Sequence, residues 1–156
     1  MKTARIKTPL GIAELGGDSN GLSYVKILEE GEVSESIPSE LKPATEQLQK
    51  YFHGQLQEFD LKLNPQGTDF QKKVWNKLLE ISYGKTTSYL ELSRELGDEK
   101  AIRAVASANG KNPLWIIVPC HRVIGSDGSL TGYAGGLHRK KWLLELENPP
   151  VQQSLF

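Results

Sequence analysis

The stretch Asn112-Pro113-Leu114-Trp115-Ile116-Ile117-Val118-Pro119-Cys120-His121-Arg122-Val123 carries the single cysteine of the 156-residue chain. Residues 114–118 are large apolar or β-branched, which predicts a short buried strand. Pro119 lacks a backbone N–H and fixes φ, so pairing should stop there and the chain should turn. Cys120 would then lie at the exit of a rigid element, where a reactive group is well held.

Two interpretations of Cys120 are open at this point. A lone cysteine is often an inert, small hydrophobic residue of the core. The neighbouring imidazole of His121 and guanidinium of Arg122 instead favour a thiolate, which is the nucleophilic form. Adjacent side chains do not face each other, so we expect a water molecule to relay the proton between Cys120 and His121.

The composition is that of an ordinary soluble protein, with 38% hydrophobic and 24% charged residues. No apolar run approaches membrane-spanning length, and Lys2, Arg5 and Lys7 interrupt the N-terminus before a signal-peptide core could form. We therefore expect a cytoplasmic protein without membrane association. One cysteine excludes an intramolecular disulfide, and three scattered histidines offer no zinc-ligand cluster, so no metal site is expected.

Charge divides the chain into two unequal parts. Residues 1–65 carry seven Lys/Arg against ten Asp/Glu, and residues 66–156 carry twelve against nine, within a net charge of zero. The basic excess fits a C-terminal half that faces nucleic acid with a small phosphate footprint, although charge alone does not establish it.

The N-terminal half contains no constellation of catalytic residues and is interpreted as a scaffold. Residues 8–15 and 22–28 alternate in polarity around a Gly/Asp/Asn-rich segment, which predicts a β-hairpin. An acidic exposed loop should follow over residues 29–38 and a helix over residues 41–52. Alternation at Leu61 and Leu63 suggests a last strand.

The C-terminal half should begin after a linker at residues 65–67. Thr68 and Gln71 form a capping-box pattern at the start of a helix, and Ser88 with Glu91 repeats it. The apolar residues expected on the buried face of the first helix are Phe70, Val74, Trp75, Leu78 and Ile81.

A helix-turn-helix candidate follows around Gly97, which should end one short helix, and Asp98, which can cap the next over residues 99–108. Small residues dominate that second helix. They fit tight helix packing, and they also fit a slim face that lies close to a nucleic-acid backbone, with Arg103 as its one long basic side chain.

After the cysteine, the sequence predicts a turn at residues 125–128 and a glycine-rich loop at residues 132–136, whose backbone N–H groups could approach a flat ligand. Residues 139–147 should form a final helix, whose basic start at residues 139–141 is expected to be solvated or to face phosphate. The tail, residues 151–156, is expected to be poorly ordered.

Several of these motifs, in this order, resemble those of the O6-alkylguanine-DNA alkyltransferases (methylated-DNA–protein-cysteine methyltransferases). The likeness is strong over about residues 66–148 and weak over the first 65. It rests on the segments Gly67-Thr68-Asp69-Phe70-Gln71, Val74-Trp75, Gly84-Lys85-Thr86-Thr87-Ser88-Tyr89, Arg103-Ala104-Val105, Gly110-Lys111-Asn112-Pro113, Pro119-Cys120-His121-Arg122-Val123 and Gly132-Tyr133-Ala134-Gly135-Gly136-Leu137.

The resemblance implies an α+β fold of two small domains. Residues 1–65 would form an α/β, ribonuclease-H-like domain with a small sheet. Residues 66–150 would form a mostly helical DNA-binding and alkyl-acceptor domain that contains the helix-turn-helix.

It also implies direct-reversal DNA repair, in which Cys120 takes the alkyl group from O6 of guanine, and from O4 of thymine, in one irreversible turnover. The nucleotide would first be flipped out of the duplex. The expected partner is double-stranded DNA that contains O6-alkylguanine, held through its minor groove. No cofactor, no obligate protein partner and a monomeric state are expected.

Carried over position by position, the resemblance makes Cys120 the nucleophile and His121 a base that acts through water. Glu147 would orient and charge the imidazole, and Asn112 would brace the turn around the cysteine.

Substrate contacts are assigned in the same way. Tyr89 would hydrogen-bond the guanine and crowd the adjacent phosphate, Arg103 would fill the gap left by the flipped nucleotide, and the N–H of Ala134 would contact O6. The expected substrate- and DNA-binding residues are Tyr89, Arg103, Ala104, Ser107, Val123, Tyr133, Ala134 and Gly135.

Two other classes of function fit the residues less well. A non-catalytic module that recognises alkylated bases would not need Cys120. A cysteine hydrolase would need an oxyanion hole and a histidine far from its nucleophile in sequence, and would leave Arg103 and the helix-turn-helix without a purpose.

Overall fold

The computed structural model describes residues 1–149, and their mixed helices and strands confirm the predicted α+β class. The predicted tail, residues 151–156, lies outside the described residues. No helix within residues 1–149 has both the length and the apolar character needed to span a membrane. In chain order the elements are β1 (Lys2–Thr8), β2 (Gly11–Asp18), β3 (Gly21–Leu28), α1 (Lys42–Phe52), α2 (Asp69–Leu78), β4 (Thr87–Ser88), α3 (Tyr89–Glu95), α4 (Ile102–Gly110), β5 (Val123–Ile124) and α5 (Leu137–Glu147).

The N-terminal part is a three-stranded antiparallel sheet in the order β1-β2-β3. Strands β2 and β3 form the predicted hairpin, and β1 is an additional strand that pairs with residues 11–17 of β2. Alternation in β1 buries Ala4 and Ile6 on the core side. The acidic segment after β3 is an irregular loop, as predicted.

Helix α1 packs its apolar stripe into the core, as its periodicity predicts. Its buried residues are Ala44, Thr45, Leu48, Tyr51 and Phe52. The predicted last strand is wrong, because Leu63 makes only an isolated parallel bridge to Leu22. Pro65, two residues later, has no N–H to extend such a ladder.

Helix α2 begins at the predicted capping box. The Gln71 N–H donates to the Thr68 hydroxyl over 3.1 Å, and the Thr68 N–H donates to the Gln71 side chain over 2.9 Å. Val74, Trp75 and Leu78 are buried. Phe70 is not, since 40% of it is exposed; periodicity identifies a helix face, but it does not show how far neighbouring elements extend along that face.

Helices α3 and α4 form the predicted helix-turn-helix and contact each other. Ser88 caps α3 through the Glu91 N–H, and Gly97 follows its end at φ +96°. Asp98 caps a short 3-10 turn that precedes α4. In α4, Val105, Ala108 and Asn109 are buried, whereas Arg103, Ala104 and Ser107 are exposed.

The predicted strand over residues 114–118 is wrong, although these residues are buried apart from the half-buried Trp115. Leu114 makes one bridge to Val25, and the chain then folds into a turn in which the Val118 N–H donates to the Leu114 carbonyl. Ile116 lies at φ +76° within that turn. The Asn112 amide accepts from the Leu114 N–H (2.9 Å) and donates to the Val118 carbonyl (2.8 Å). A side chain that bonds nearby backbone in this way competes with a sheet ladder.

Asn112 should therefore be a large contributor to stability. We expect Asn112→Ala to lower the free energy of unfolding by about 2–3 kcal/mol, because it leaves buried backbone groups without partners. Urea denaturation would measure the loss. Asn76→Ala, at an exposed position of α2, is the matched control and should change stability by less than about 0.5 kcal/mol. Equal effects of the two substitutions would contradict this role for Asn112.

Candidate active site

Cys120 opens a one-turn 3-10 helix, Cys120–Arg122, that leads directly into β5. Its N–H donates to the Val118 carbonyl over 2.8 Å. Strand β5 pairs in parallel with β4, with Val123 opposite Thr87, and this pairing places the start of α3 beside the cysteine. The cysteine is therefore held by a hydrogen-bonded turn on one side and a short sheet on the other, rather than by the strand that the sequence predicted.

Cys120 borders a cavity of about 510 Å³, a volume within the usual range for sites that bind small ligands. Only 4% of Cys120 is exposed, so access to it runs through this space. The lining residues are Tyr89, Ile102, Arg103, Ala106, Asn109, Gly110, Cys120, Thr131, Gly132, Tyr133 and Ala134. The predicted residues Tyr89, Arg103, Cys120, Tyr133 and Ala134 thus meet at one place.

Other predicted residues surround the cavity without lining it. Ala104 and Ser107 lie on the exposed face of α4. Val123 is buried, and its carbonyl accepts a bond from Lys140. Gly135 is buried behind Tyr133, where a Cβ would lie 2.8 Å from the tyrosine ring.

His121 and Glu147 form a buried pair, joined by a 2.7 Å contact between Nε2 and Oε2. The Arg122 guanidinium donates to both carboxylate oxygens, over 2.7 and 3.0 Å. The Tyr51 hydroxyl of α1 donates to Oε2 as well. This set brings α1, α5 and the cysteine turn to one carboxylate.

The protonation states of this pair follow from its surroundings. Burial raises the pKa of Glu147, but hydrogen bonds from His121 and Arg122 outweigh it and bring the pKa to about 2. Burial lowers the pKa of His121 more than Glu147 raises it, so the imidazole is neutral near pH 7. A neutral ring that donates from Nε2 carries its free lone pair on Nδ1. Nδ1 is buried and has no hydrogen-bond partner among the described residues.

The electrostatics of the sulfur differ from the expectation. Burial raises the pKa of Cys120 to about 11, although Asn112 and Lys140 act in the opposite direction. Arg122 does not supply the expected thiolate stabilisation, because its guanidinium is bound by Glu147 and the Ile81 carbonyl. Cys120 is therefore a neutral thiol in this state, and its activation requires a base.

The start of α5 is also different from the expectation of a solvated, basic edge. Lys140 is fully buried and Arg139 is 9% exposed. The Lys140 ammonium donates to the carbonyls of Val123 and Thr131, each over 2.7 Å. Burial lowers the pKa of Lys140 to about 8. Lys141 is exposed, as expected.

Sequence reasoning did not find Lys140, Asn109 or Tyr51 as parts of the site. Asn109 lines the cavity and its side chain donates to the Cys120 carbonyl over 3.4 Å. Its Oδ1 is buried and has no hydrogen-bond partner among the described residues. The only feature of the sequence that could have indicated Asn109 is its position, three residues before Asn112 and near the end of α4. Tyr51 carried no signal beyond its place on a buried helix face.

The described residues contain no group of three or more His, Cys, Asp or Glu side chains arranged to hold a metal ion. The fold and the site together define a class of protein: a small sheet-and-helix scaffold that carries a cysteine, backed by a His–Glu pair, in a cavity beside a helix-turn-helix.

The chain belongs to the 6-O-methylguanine DNA methyltransferase family. The ribonuclease-like domain of that family matches residues 1–65, and its DNA-binding domain matches residues 69–149. The "Methylated-DNA--protein-cysteine methyltransferase" of Methanosarcina acetivorans is 48% identical over 154 residues, covering 94% of this chain and 98% of that protein.

Solved structures give the same result. The O6-methylguanine methyltransferase of Mycobacterium tuberculosis is 45% identical, with a TM-score of 0.85, and the match covers 98% of this chain and 96% of that one. A crystal structure of Mycobacterium tuberculosis OGT in complex with DNA is 48% identical over 92% of this chain and 90% of that one, with a TM-score of 0.84.

Because Glu147 is ionised in the folded protein, the free energy of unfolding should decrease as the pH falls. Its pKa is about 2 in the folded protein, against an ordinary value of 4.5, so its contribution is complete above pH 4.5 and is lost as the pH falls towards 2. We expect the wild type to be more stable than Glu147→Gln at pH 7, and this difference to shrink by about 3 kcal/mol by pH 2.5.

Urea denaturation across this pH range would measure the difference. Glu145→Gln, at an exposed position of the same helix, is the control and should differ from the wild type by less than about 0.5 kcal/mol at every pH. A pH-independent difference between Glu147→Gln and the wild type would show that the carboxylate is not a buried anion.

Proposed function

We propose that this protein repairs DNA directly, by transferring an alkyl group from O6 of guanine to the sulfur of Cys120. The observation that carries the proposal is the position of Cys120 in the wall of a base-sized cavity, with the His121–Glu147 pair behind it. The names of the relatives, and the DNA bound to one of the solved structures, support the same reaction. O4-alkylthymine presents the same type of carbon and belongs to the proposed substrates.

The reaction forms a sulfur–carbon bond and breaks the bond between that carbon and O6. The thiol proton leaves sulfur and passes through a water molecule to His121 Nδ1. The leaving guanine anion then takes up one proton, given back by the imidazolium through water, so that the proton lost by the thiol ends on the restored amide form of guanine and His121 is neutral again. Nδ1 suits this task, because it is a buried acceptor that has no hydrogen-bond partner within residues 1–149. The anionic Glu147 stabilises the imidazolium that forms.

A thiol with a pKa of about 11 is a weak nucleophile at neutral pH, so reaction depends on this proton transfer. The product is a thioether, which water does not cleave under mild conditions. Each molecule therefore acts once, as a stoichiometric reagent, and no cofactor takes part.

The proposed DNA surface is the exposed face of α4. Ala104 and Ser107 are small and exposed, so this face can approach a nucleic-acid backbone closely. Arg103 stands where this face meets the cavity, which suits a side chain that fills the gap left by a flipped nucleotide. We place the helix in the minor groove of the duplex and propose that the protein acts as a monomer.

Substrate contacts follow from the lining of the cavity. Tyr89 and Tyr133 offer aromatic faces and hydroxyl groups to a flat base, and the backbone N–H of Ala134 can donate to O6. Asn112 acts indirectly, by holding the turn that carries Cys120.

The central test is the mass of the peptide that contains Cys120 after incubation with duplex DNA containing O6-methylguanine. We expect one added methyl group per protein molecule, and no further turnover in excess DNA. Cys120→Ala should remove the transfer and keep the DNA binding. Binding of alkylated DNA without any mass change in the wild type would identify a non-catalytic recognition module instead.

Arg103 offers a second test, because its proposed role exists only in duplex DNA. We expect Arg103→Ala to slow transfer from duplex O6-methylguanine at saturating DNA by at least about tenfold, since base extrusion requires a few kcal/mol. Its reaction with free O6-benzylguanine should change by less than about twofold. Single-turnover kinetics would measure both rates.

Lys100→Ala removes the same charge just before α4, at a residue that does not line the cavity. It should weaken duplex binding without changing the saturated rate. Equal losses for Arg103→Ala on duplex and free base would exclude a flipping role.

A further inference from the structure

One wall of the cavity is held by two adjacent cations of α5. The wall is the segment of residues 131–135, which contributes Thr131, Gly132, Tyr133 and Ala134 to the lining. Lys140 holds its beginning, by donating to the carbonyls of Thr131 and Gly132 over 2.7 and 3.3 Å. Arg139 holds its end, by donating from Nη1 to the Gly135 carbonyl over 3.0 Å.

Arg139 also reaches the N-terminal sheet. Its Nε donates to the carbonyl of Leu10, in the turn between β1 and β2, over 3.0 Å. Its Nη2 lies 3.7 Å from the carboxylate of Glu29, just beyond β3. The side chain is 10% exposed, whereas Glu29 is 85% exposed, so the two carbonyl bonds should matter more than the ion pair.

We propose that Arg139 is a positioning residue. Its bonds to the Leu10 and Gly135 carbonyls form a tether, through which the N-terminal sheet fixes residues 133–135 of the wall. The consequence for alkyl transfer rests on the proposed function; the tether itself does not. A guanidinium is a planar fork that fixes two acceptors relative to each other, which a lysine ammonium does not do. The N-terminal half, which contributes no residue to the cavity lining, thereby influences substrate binding.

The wall needs such an external anchor because its backbone is rich in glycine, although the Tyr133 ring packs against Trp115. Gly135 cannot gain a side chain, since a Cβ would lie 2.8 Å from the Tyr133 ring and 3.2 Å from that of Trp115. Ala134 is small and exposed. Glycine-rich backbone loses more conformational freedom on ordering than other sequences. Charge-assisted bonds to its carbonyls offset that entropy and keep Tyr133 and the Ala134 N–H in place.

The first measurement is hydrogen exchange of the amides of residues 131–136 in the substrate-free protein. Arg139→Met removes both carbonyl bonds, and Lys141→Met removes a charge from an exposed residue two positions later in the same helix. We expect Arg139→Met to increase exchange in this segment at least tenfold, with the Gly136 amide as the most informative position because it donates to the Tyr133 carbonyl. Lys141→Met should leave it unchanged.

The second measurement is the reaction with free O6-benzylguanine, which has no phosphate. The half-saturating concentration should rise at least tenfold in Arg139→Met, while the limiting rate stays within about threefold, because Cys120, His121 and Glu147 are untouched. Arg139→Lys keeps the charge and can hold one carbonyl, so it should fall between the wild type and Arg139→Met. If Arg139→Met does not fold, both measurements are made on Arg139→Lys instead.

The proposal is overturned if Arg139→Met lowers the melting temperature but leaves both the exchange of residues 131–136 and the half-saturating concentration unchanged. Arg139 would then be a purely structural residue. Failure of the wild type to alkylate Cys120 is a different outcome: it would remove the proposed function. In that case the exchange difference between Arg139→Met and the wild type still decides whether the tether exists.

Discussion

The buried carboxylate of Glu147 is the point on which the site depends. It is the last residue of α5, and it joins this helix to His121 and Arg122 of the cysteine turn and to Tyr51 of α1. An isolated anion in such a position would take up a proton, because burial penalises charge. Hydrogen bonds from His121 and from both prongs of Arg122 prevent this and keep the pKa of Glu147 near 2. Burial lowers the pKa of His121 and leaves the imidazole as a neutral base.

The hydrogen-bond partners of the nearby cations also explain why Cys120 is a neutral thiol before it reacts. Arg122 donates to Glu147, and Lys140 donates to backbone carbonyls, so neither cation offsets the effect of burial on the thiol. The thiol is neutral and its pKa is about 11. A neutral thiol is poorly nucleophilic. In the proposed reaction the sulfur therefore stays unreactive until a nucleobase enters the cavity and His121 accepts the thiol proton.

Backbone carbonyls form much of the framework around the cavity. Asn112 bonds to the turn before Cys120, while Lys140 and Arg139 bond to the loop opposite. Such contacts leave few traces in the sequence, because a carbonyl acceptor is present at every residue. The expectation that residues 139–141 face solvent was wrong for this reason at Arg139 and Lys140. It treated the charged side chains as exposed, although a buried cation is stable where carbonyl oxygens surround it.

The sequence by itself determined the local elements and the chemistry: the capping box at Thr68, the helix-turn-helix around Gly97, and a Cys-His pair with an apolar stretch before it. These depend on propensity and spacing within a few residues. Only the tertiary structure decided that residues 114–118 form a turn, that Arg122 neutralises Glu147, and that Arg139 reaches Leu10. The contacts of Arg122 and Arg139 join residues 25 and 129 positions apart, and local patterns carry no information on which distant partner satisfies a buried polar group.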